Sequence, residues 1–187
     1  MNYKINSEEI VHDDYFQIKK AEVTYDTFKN NETSATRFAF ERGDSVAVLL
    51  FEKDTDSFLL TRQFRYPITK HNQGWIIEIP AGSLEENEKP EDCVIREVEE
   101  ELGYGIHKVT HIHTFYTSPG GSTERMFLFY AETETSEKIT EGGGNIEEQE
   151  DIQLIKIPET EIKKRLPEFQ DAKTIIAFQW YLLNEIV

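Results

Sequence analysis

Cysteine is nearly absent from this 187-residue chain. The single Cys93 excludes an internal disulfide and leaves the redox compartment open. With no paired His or Cys motif beside it, it reads as packing. Positive charge is scarce as well: 20 Lys and Arg stand against 36 Asp and Glu, a formal net charge of −16. That balance argues against nucleic acid held on a basic surface and against an anionic membrane. Long apolar runs are also missing. None approaches the roughly 20 residues of a membrane span, and the opening MNYKINSEEIVHDDYF lacks the apolar centre of a signal peptide. A soluble cytoplasmic protein is expected. There are no internal repeats and no long low-complexity tract, so the length suits one full core with appended strands.

Within that frame the chain has two textures. Residues 1–42 read as a small β ribbon. Phe16-Gln17-Ile18 alternates, the phase slips at Lys19-Lys20, and Ala21 to Tyr25 alternates again, which predicts a strand with a bulge. Lys29-Asn30-Asn31-Glu32 is turn material and Thr36 to Phe40 returns as a second strand. So small a ribbon buries little apolar area alone and needs a surface to lie on. Residues 43–187 read as a mixed α/β domain. Val46 to Phe51 is a continuous apolar run, as in a strand covered on both faces. Further strands are expected at residues 58–60, 75–79, 109–116, 126–131 and 151–157. Helices are expected over residues 90–102 and 159–166, and from Asp171 as a cap, with Ile175, Phe178, Leu182 and Ile186 on one face. Trp180 and Tyr181 on that helix read as packing. His111 and His113 alternate on a strand, and without a third ligand they are ordinary side chains rather than a zinc site.

The helix over 90–102 breaks the rules of a purely structural one. Pro90 suits its first turn and Gly103 the position past its last. At 100° per residue, Val94, Val98 and Leu102 form an apolar stripe, while Glu97, Glu100 and Glu101 share an adjoining face and Glu99 points away. Like charges three and four residues apart each cost a few tenths of a kcal/mol. Two of them sit at the helix end whose dipole disfavours anions. Such a face is suited to binding a divalent cation.

The spacing is equally specific. Gly82, five residues, Glu88, seven residues, Arg96-Glu97-Val98, one residue, Glu100-Glu101, one residue, Gly103 matches the Nudix box throughout. Only Tyr104 departs, standing where an aliphatic residue is usual. The chain therefore resembles the Nudix hydrolases, and the resemblance implies an α/β/α sandwich around a mixed sheet, with the ribbon appended. It also implies that Glu97 and Glu101, with the carbonyl of Ala81 and with Glu100 beside them, hold Mg2+ (Mn2+ being possible). Arg96 would orient these glutamates through charge-assisted hydrogen bonds.

Features outside the box point to the nucleoside diphosphate sugar pyrophosphatases within that family. Glu148-Gln149-Glu150-Asp151-Ile152 follows the triple glycine 142–144 and resembles a loop that closes over the site in such relatives. By that match Glu150 is an additional metal ligand and Glu148 the general base, acting after closure about the glycines. Pro119 stands sixteen residues beyond Gly103 in a Ser-Pro-Gly-Gly turn, read as type II, with Glu124 just beyond it. In Arg62-Gln63-Phe64-Arg65 the second arginine matches one that contacts the substrate's phosphates. Gly142-Gly143-Gly144 and Asp171-Ala172-Lys173-Thr174 resemble the GDP-mannose pyrophosphatases, and Glu78-Ile79-Pro80-Ala81-Gly82 the ADP-ribose ones. The implied substrate is thus a nucleoside diphosphate sugar, with Lys173 and Arg65 approaching from the main domain. In a homodimer, Tyr15 and Arg37 of the ribbon would approach from the partner. The competing expectation is a non-catalytic Nudix-fold sensor of nucleotide sugars. Such modules commonly lose box glutamates, and all are kept here.

Overall fold

In the computed structural model, described for residues 1–145, 147 and 149–184, the chain forms two compact units. One comprises Met1–Asp44 with Phe115–Arg125, and the other Ser45–Thr114 with the chain from Met126 onward.

The first unit is a three-stranded antiparallel sheet ordered β1 (Tyr3–Asp13), β2 (Gln17–Asp26), β3 (Glu32–Glu41). The strand β1 goes beyond the sequence expectation of two strands. Its alternation is too weak to signal a buried face, and it is exposed along its whole length. The expected bulge at Lys19-Lys20 is corrected too. The pairing of β2 with β3 runs without interruption, and the register instead shifts on β1, between Ile5 and Ser7 and between Ile10 and His12. The phase slip read in β2 is therefore a property of its side chains, not of its backbone.

The second unit is built on a seven-stranded mixed sheet. Its main path is β10 (Gln153–Pro158), β5 (Ser57–Phe64), β4 (Ser45–Glu52), β9 (Arg125–Thr133), β8 (Val109–Tyr116). β4 and β9 run parallel, whereas β4 with β5 and β5 with β10 are antiparallel. β4 and β5 pair only from Leu50 to Glu52, and beyond that point they splay. The opening is filled by one stretch of chain: β6 (Trp75–Glu78) pairs with β5, and β7 (Ala81–Ser83) pairs with β4. Pro80, which has no N–H to donate, sits at the crossing between them. Glu78 and Ala81 are thereby held at the fork of the sheet.

Helices cover both faces, which gives the expected α/β/α sandwich. α1 (Pro90–Leu102) buries Val94, Val98 and Leu102 against Val46, Val48, Leu50, Leu59 and Phe129. At about 1.5–3 kcal/mol per fully buried aliphatic side chain, this stripe outweighs the repulsion among the helix's glutamates. α2 (Glu159–Arg165) is short. α3 (Ala172–Asn184) packs the opposite face, where Phe58 meets Phe178 and Tyr181 edge-on at 5.1 and 4.9 Å. Asp171 caps it, accepting the Thr174 N–H at 2.9 Å. The buried stripe is Thr174, Ala177, Phe178 and Tyr181. The expected stripe on Ile175, Phe178 and Leu182 is thus rotated, because Phe51 and Phe58 draw Tyr181 inward. Ile186 lies outside the described residues. No helix among those described is long and apolar enough to cross a membrane.

Candidate active site

The site grows from the C-terminal half of α1. Gly103 ends that helix in the left-handed conformation, with φ of 78°. The next segment to reach this end is the triple glycine. Gly142, Gly143 and Gly144 all take positive φ, of 64°, 111° and 86°. The N–H groups of Gly143 and Gly144 donate to the carbonyls of Glu101 and Glu100 at 2.9 and 3.0 Å. These are last-turn carbonyls with no partner inside the helix. A Cβ at Gly142 would come within 2.6 Å of Glu101 and Leu102 backbone atoms. The glycines, expected as a hinge, therefore cap α1.

That cap delivers Glu150. Its Oε2 accepts the Asn145 N–H at 3.0 Å, and its backbone N–H donates to the Asn145 carbonyl at 3.2 Å. Its charge bears on Glu97 and Glu101, raising the proton affinity of both. Glu148, expected as the base, lies outside the described residues.

The box glutamates occupy distinct environments. Glu101 is buried at 2% exposure, and one oxygen accepts the Ala81 N–H at 3.2 Å. Burial first, then the charges of Glu97, Glu150 and Glu78, push its carboxyl well above the usual range. Glu97 is pushed up to about 7, again chiefly by burial, with Arg96 opposing and Glu100 and Glu150 adding. Its carboxylate lies directly over Gly82, whose missing side chain makes the room. Arg96 ties the set together. Its Nη1 donates to Glu97 at 2.7 Å and Glu100 at 3.1 Å, while Nε and Nη2 grip Glu88 at 3.0 and 3.1 Å. That grip holds the Glu88 carboxyl down at about 2. The pairing of Glu88 with Arg96 was not read from the sequence, although both positions belong to the matched motif.

Among the described residues, no three His, Cys, Asp or Glu side chains already close on a common point. Uncompensated carboxylates repel, and Glu97 turns to Arg96. The donor set still fits a hard divalent cation: Glu97, Glu101 and Glu150 offer oxygen atoms only, and burial makes the negative charge of Glu97 and of Glu101 costly until a cation offsets it.

The expected phosphate cations differ in availability. Arg65 donates through Nε to Glu78 at 2.8 Å and keeps 39% of its side chain exposed. Lys173 is turned inward. Its amine is held by Glu78 and by Asp171, the latter at 3.1 Å, and only 11% of its side chain is exposed. Glu78, the residue between them, was missed as an individual functional residue. Its partners lie 13 and 95 positions away, so no local pattern signals it. Tyr104, the departure from the box, donates to buried Glu52 at 2.8 Å, and Lys156 pairs with the same carboxylate. An aliphatic residue could not make that bond.

Tyr15, Arg37, Pro119 and Glu124 belong to the first unit. Tyr15 is 85% exposed. Arg37 donates to the Tyr25 hydroxyl at 3.0 Å, and Glu124 accepts from Thr117 Oγ1 at 2.7 Å. Pro119 sits in a turn closed by Gly121 N–H to the Ser118 carbonyl at 3.0 Å. The expected type II geometry is corrected, because Gly120 does not take the positive φ that type requires.

The profile described as "NUDIX domain" matches residues 41–180. The chain is similar to the GDP-mannose pyrophosphatase of Cronobacter sakazakii, 34% identical over 193 aligned residues that span 100% of this chain and 98% of the relative. It is similar also to that of Salmonella typhimurium, 34% identical and spanning 96% and 95%. Among solved structures, one titled "Crystal structure of ADP compounds hydrolase" shares the fold. Its TM-score is 0.75 and its identity 17%, over 100% of this chain and 98% of that one.

Proposed function

This chain belongs to the Nudix hydrolase family, and from that premise we propose that it is a magnesium-dependent pyrophosphatase of nucleoside diphosphate sugars, with GDP-mannose ahead of ADP-ribose. Water adds to one phosphorus, the diphosphate P–O bond breaks, and a nucleoside monophosphate and a sugar phosphate leave. The observation that carries this reading is the trio Glu97, Glu101 and Glu150, in which the charge of Glu150 raises the proton affinity of both Glu97 and Glu101. The full-length similarity to enzymes named GDP-mannose pyrophosphatase favours that substrate.

Divalent cations bound there would offset the charge of the diphosphate and make a water more acidic. The chain's own residues do the rest. Glu97, Glu101, Glu150 and the Ala81 carbonyl are the proposed ligands, with Glu100 beside them, and Arg96 keeps Glu97 and Glu100 oriented. Arg65 takes the diphosphate, and Glu148 accepts the proton by its match to the loop motif. Purified protein supplied with magnesium should release GMP from GDP-mannose faster than AMP from ADP-ribose, and neither in the presence of chelator. A strong preference for a nucleoside triphosphate would overturn the substrate class. Binding of GDP-mannose without cleavage would favour the sensor instead.

We assign the first unit a role in forming a two-fold homodimer, with Tyr15 and Arg37 offered to the partner's substrate. The support is physical: Tyr3, Ile5, Ile10, Phe38 and Phe40 are all exposed on this three-stranded sheet, apolar surface that a second subunit could cover. Sedimentation should give twice the chain mass, whereas removal of residues 1–40 should give a monomer or insoluble protein. A truncated chain that stays dimeric with an unchanged KM rules the role out.

A further inference from the structure

We infer that Glu78 is the positioning residue for the substrate arginine: it holds Arg65 by Nε so that the two terminal nitrogens of the guanidinium form a free fork for the diphosphate. The inference rests on the reading above, in which Arg65 contacts phosphate.

Its basis is a clasp assembled from three distant pieces of sequence. Glu78 ends β6 with 4% exposure, and Thr61 on β5 donates to its carbonyl at 3.1 Å. One carboxylate oxygen receives Arg65 Nε at 2.8 Å and the other receives the Lys173 amine. Lys173 is in turn tied to Asp171 Oδ1 at 3.1 Å. Asp171 cannot swing away, because its other oxygen caps α3 through the Thr174 N–H and hydroxyl at 2.9 and 2.6 Å. Thr174 Oγ1 accepts the Ile79 N–H at 2.9 Å. The first turn of α3 thus grips the chain at Glu78, the end of β6, and at Ile79 just beyond it, two residues before Ala81.

The consequence is geometric. A guanidinium carries five N–H groups in a rigid plane, and paired contact to phosphate needs two that point the same way. Contact through Nε alone uses the inner edge and leaves both Nη groups. Among the described residues Glu78 is the only side-chain partner Arg65 has. The charges nearly cancel: Arg65 and Lys173 face Glu78 and Asp171. What the cluster contributes to an anionic substrate is therefore a fixed direction more than net charge. Lys173 acts through Glu78, which explains why so buried an amine sits in this motif. Glu78 has both oxygens occupied by cationic side chains, which sets it apart from the proposed metal ligands.

A double-mutant cycle on the full chain tests this, with Glu78→Gln, Arg65→Lys and their combination. The GDP-mannose KM should rise about tenfold in each single variant, as for loss of one charge-assisted contact. The kcat should stay within about threefold, because the contact serves substrate and transition state alike. The double variant should be no worse than the worse single. Multiplying effects, or a KM within about twofold of the parent in Glu78→Gln, overturns the inference. Where Glu78→Gln does not fold, Glu78→Asp, which is too short to reach both cations, is judged by the same criterion. A second readout needs no turnover. The Arg65 Nε–H signal in 15N NMR should be protected from solvent exchange in the parent and lost in the Glu78 variant, and equal protection in both overturns the claim. A parent protein that hydrolyses no nucleotide sugar would remove the phosphate reading, while the NMR result would still decide the role of Glu78.

Discussion

Glu101→Gln should lower kcat about a thousandfold at saturating magnesium while leaving the metal-free protein as stable as its parent, or more so. The rate loss follows from removing a proposed ligand at a site where cation neutralisation would contribute several kcal/mol to the barrier. The stability gain follows from the surroundings. Glu101 is buried beside Glu97 and Glu150, which disfavour its ionised form, and Gln keeps an oxygen for the Ala81 N–H while removing a group that cannot ionise there without cost. Turnover assays and thermal melts with chelator measure both halves. Near-normal turnover would eliminate Glu101 as a ligand.

Titration gives the same experiment an internal control. A carboxyl raised in the folded state is stabilising while protonated, and that stability is lost as pH rises through the folded value. For Glu97 the window runs from its unfolded value near 4.5 up to about 7. Over it the metal-free parent should lose on the order of 3 kcal/mol. The charges of Glu100 and Glu150 add to that shift, so the melting temperature of Glu150→Gln should fall less over the same range. Cation binding at the proposed site needs Glu97 and Glu101 ionised, so the parent's magnesium requirement should increase as pH falls below about 7.

What could be read from the sequence was whatever is set locally. Pro90 and Gly103 bracket α1 because a ring-fixed φ suits a first turn and a glycine suits a left-handed exit. The apolar run 46–51 could only be a strand covered on both sides, and Asp171 was visible as a cap. The metal-ligand candidates of the box were legible because three residues of one helix face, Glu97, Glu100 and Glu101, carry them. What escaped depends on distant partners. β1 has no buried face, so its alternation carries no signal. The role of Glu78 appears only when α3 meets β6. The triple glycine looked like freedom because its hydrogen bonds go to carbonyls some forty residues earlier in the chain. The hydroxyl of Tyr104 became meaningful only opposite Glu52, more than fifty positions away.

Gly82→Ala should reduce turnover about a hundredfold and barely move the melting temperature, a separation that follows from what stands over the glycine. A Cβ built there would lie 1.9 Å from Glu97 Cδ and Oε1 and 2.4 Å from Oε2. These three nearest atoms are the mobile end of a long side chain, which can rotate away at the cost of about one rotamer. The sheet and α1 therefore survive. The carboxylate does not keep its place: it leaves Arg96 Nη1, now 2.7 Å away, and moves off the strand that carries the Ala81 carbonyl. A displacement of about 1 Å at a reacting site is enough for a hundredfold loss. Gly103→Ala is the contrasting case. There the new Cβ meets the Thr140 carbonyl oxygen at 2.2 Å on a backbone with φ of +78°, so the fold itself must yield and the melting temperature should drop with the activity. Comparing kcat with melting temperature in the two variants separates a glycine that makes room for the Glu97 carboxylate from one that ends a helix. Normal turnover in Gly82→Ala would mean that the position of Glu97 over Gly82 is not the one catalysis uses.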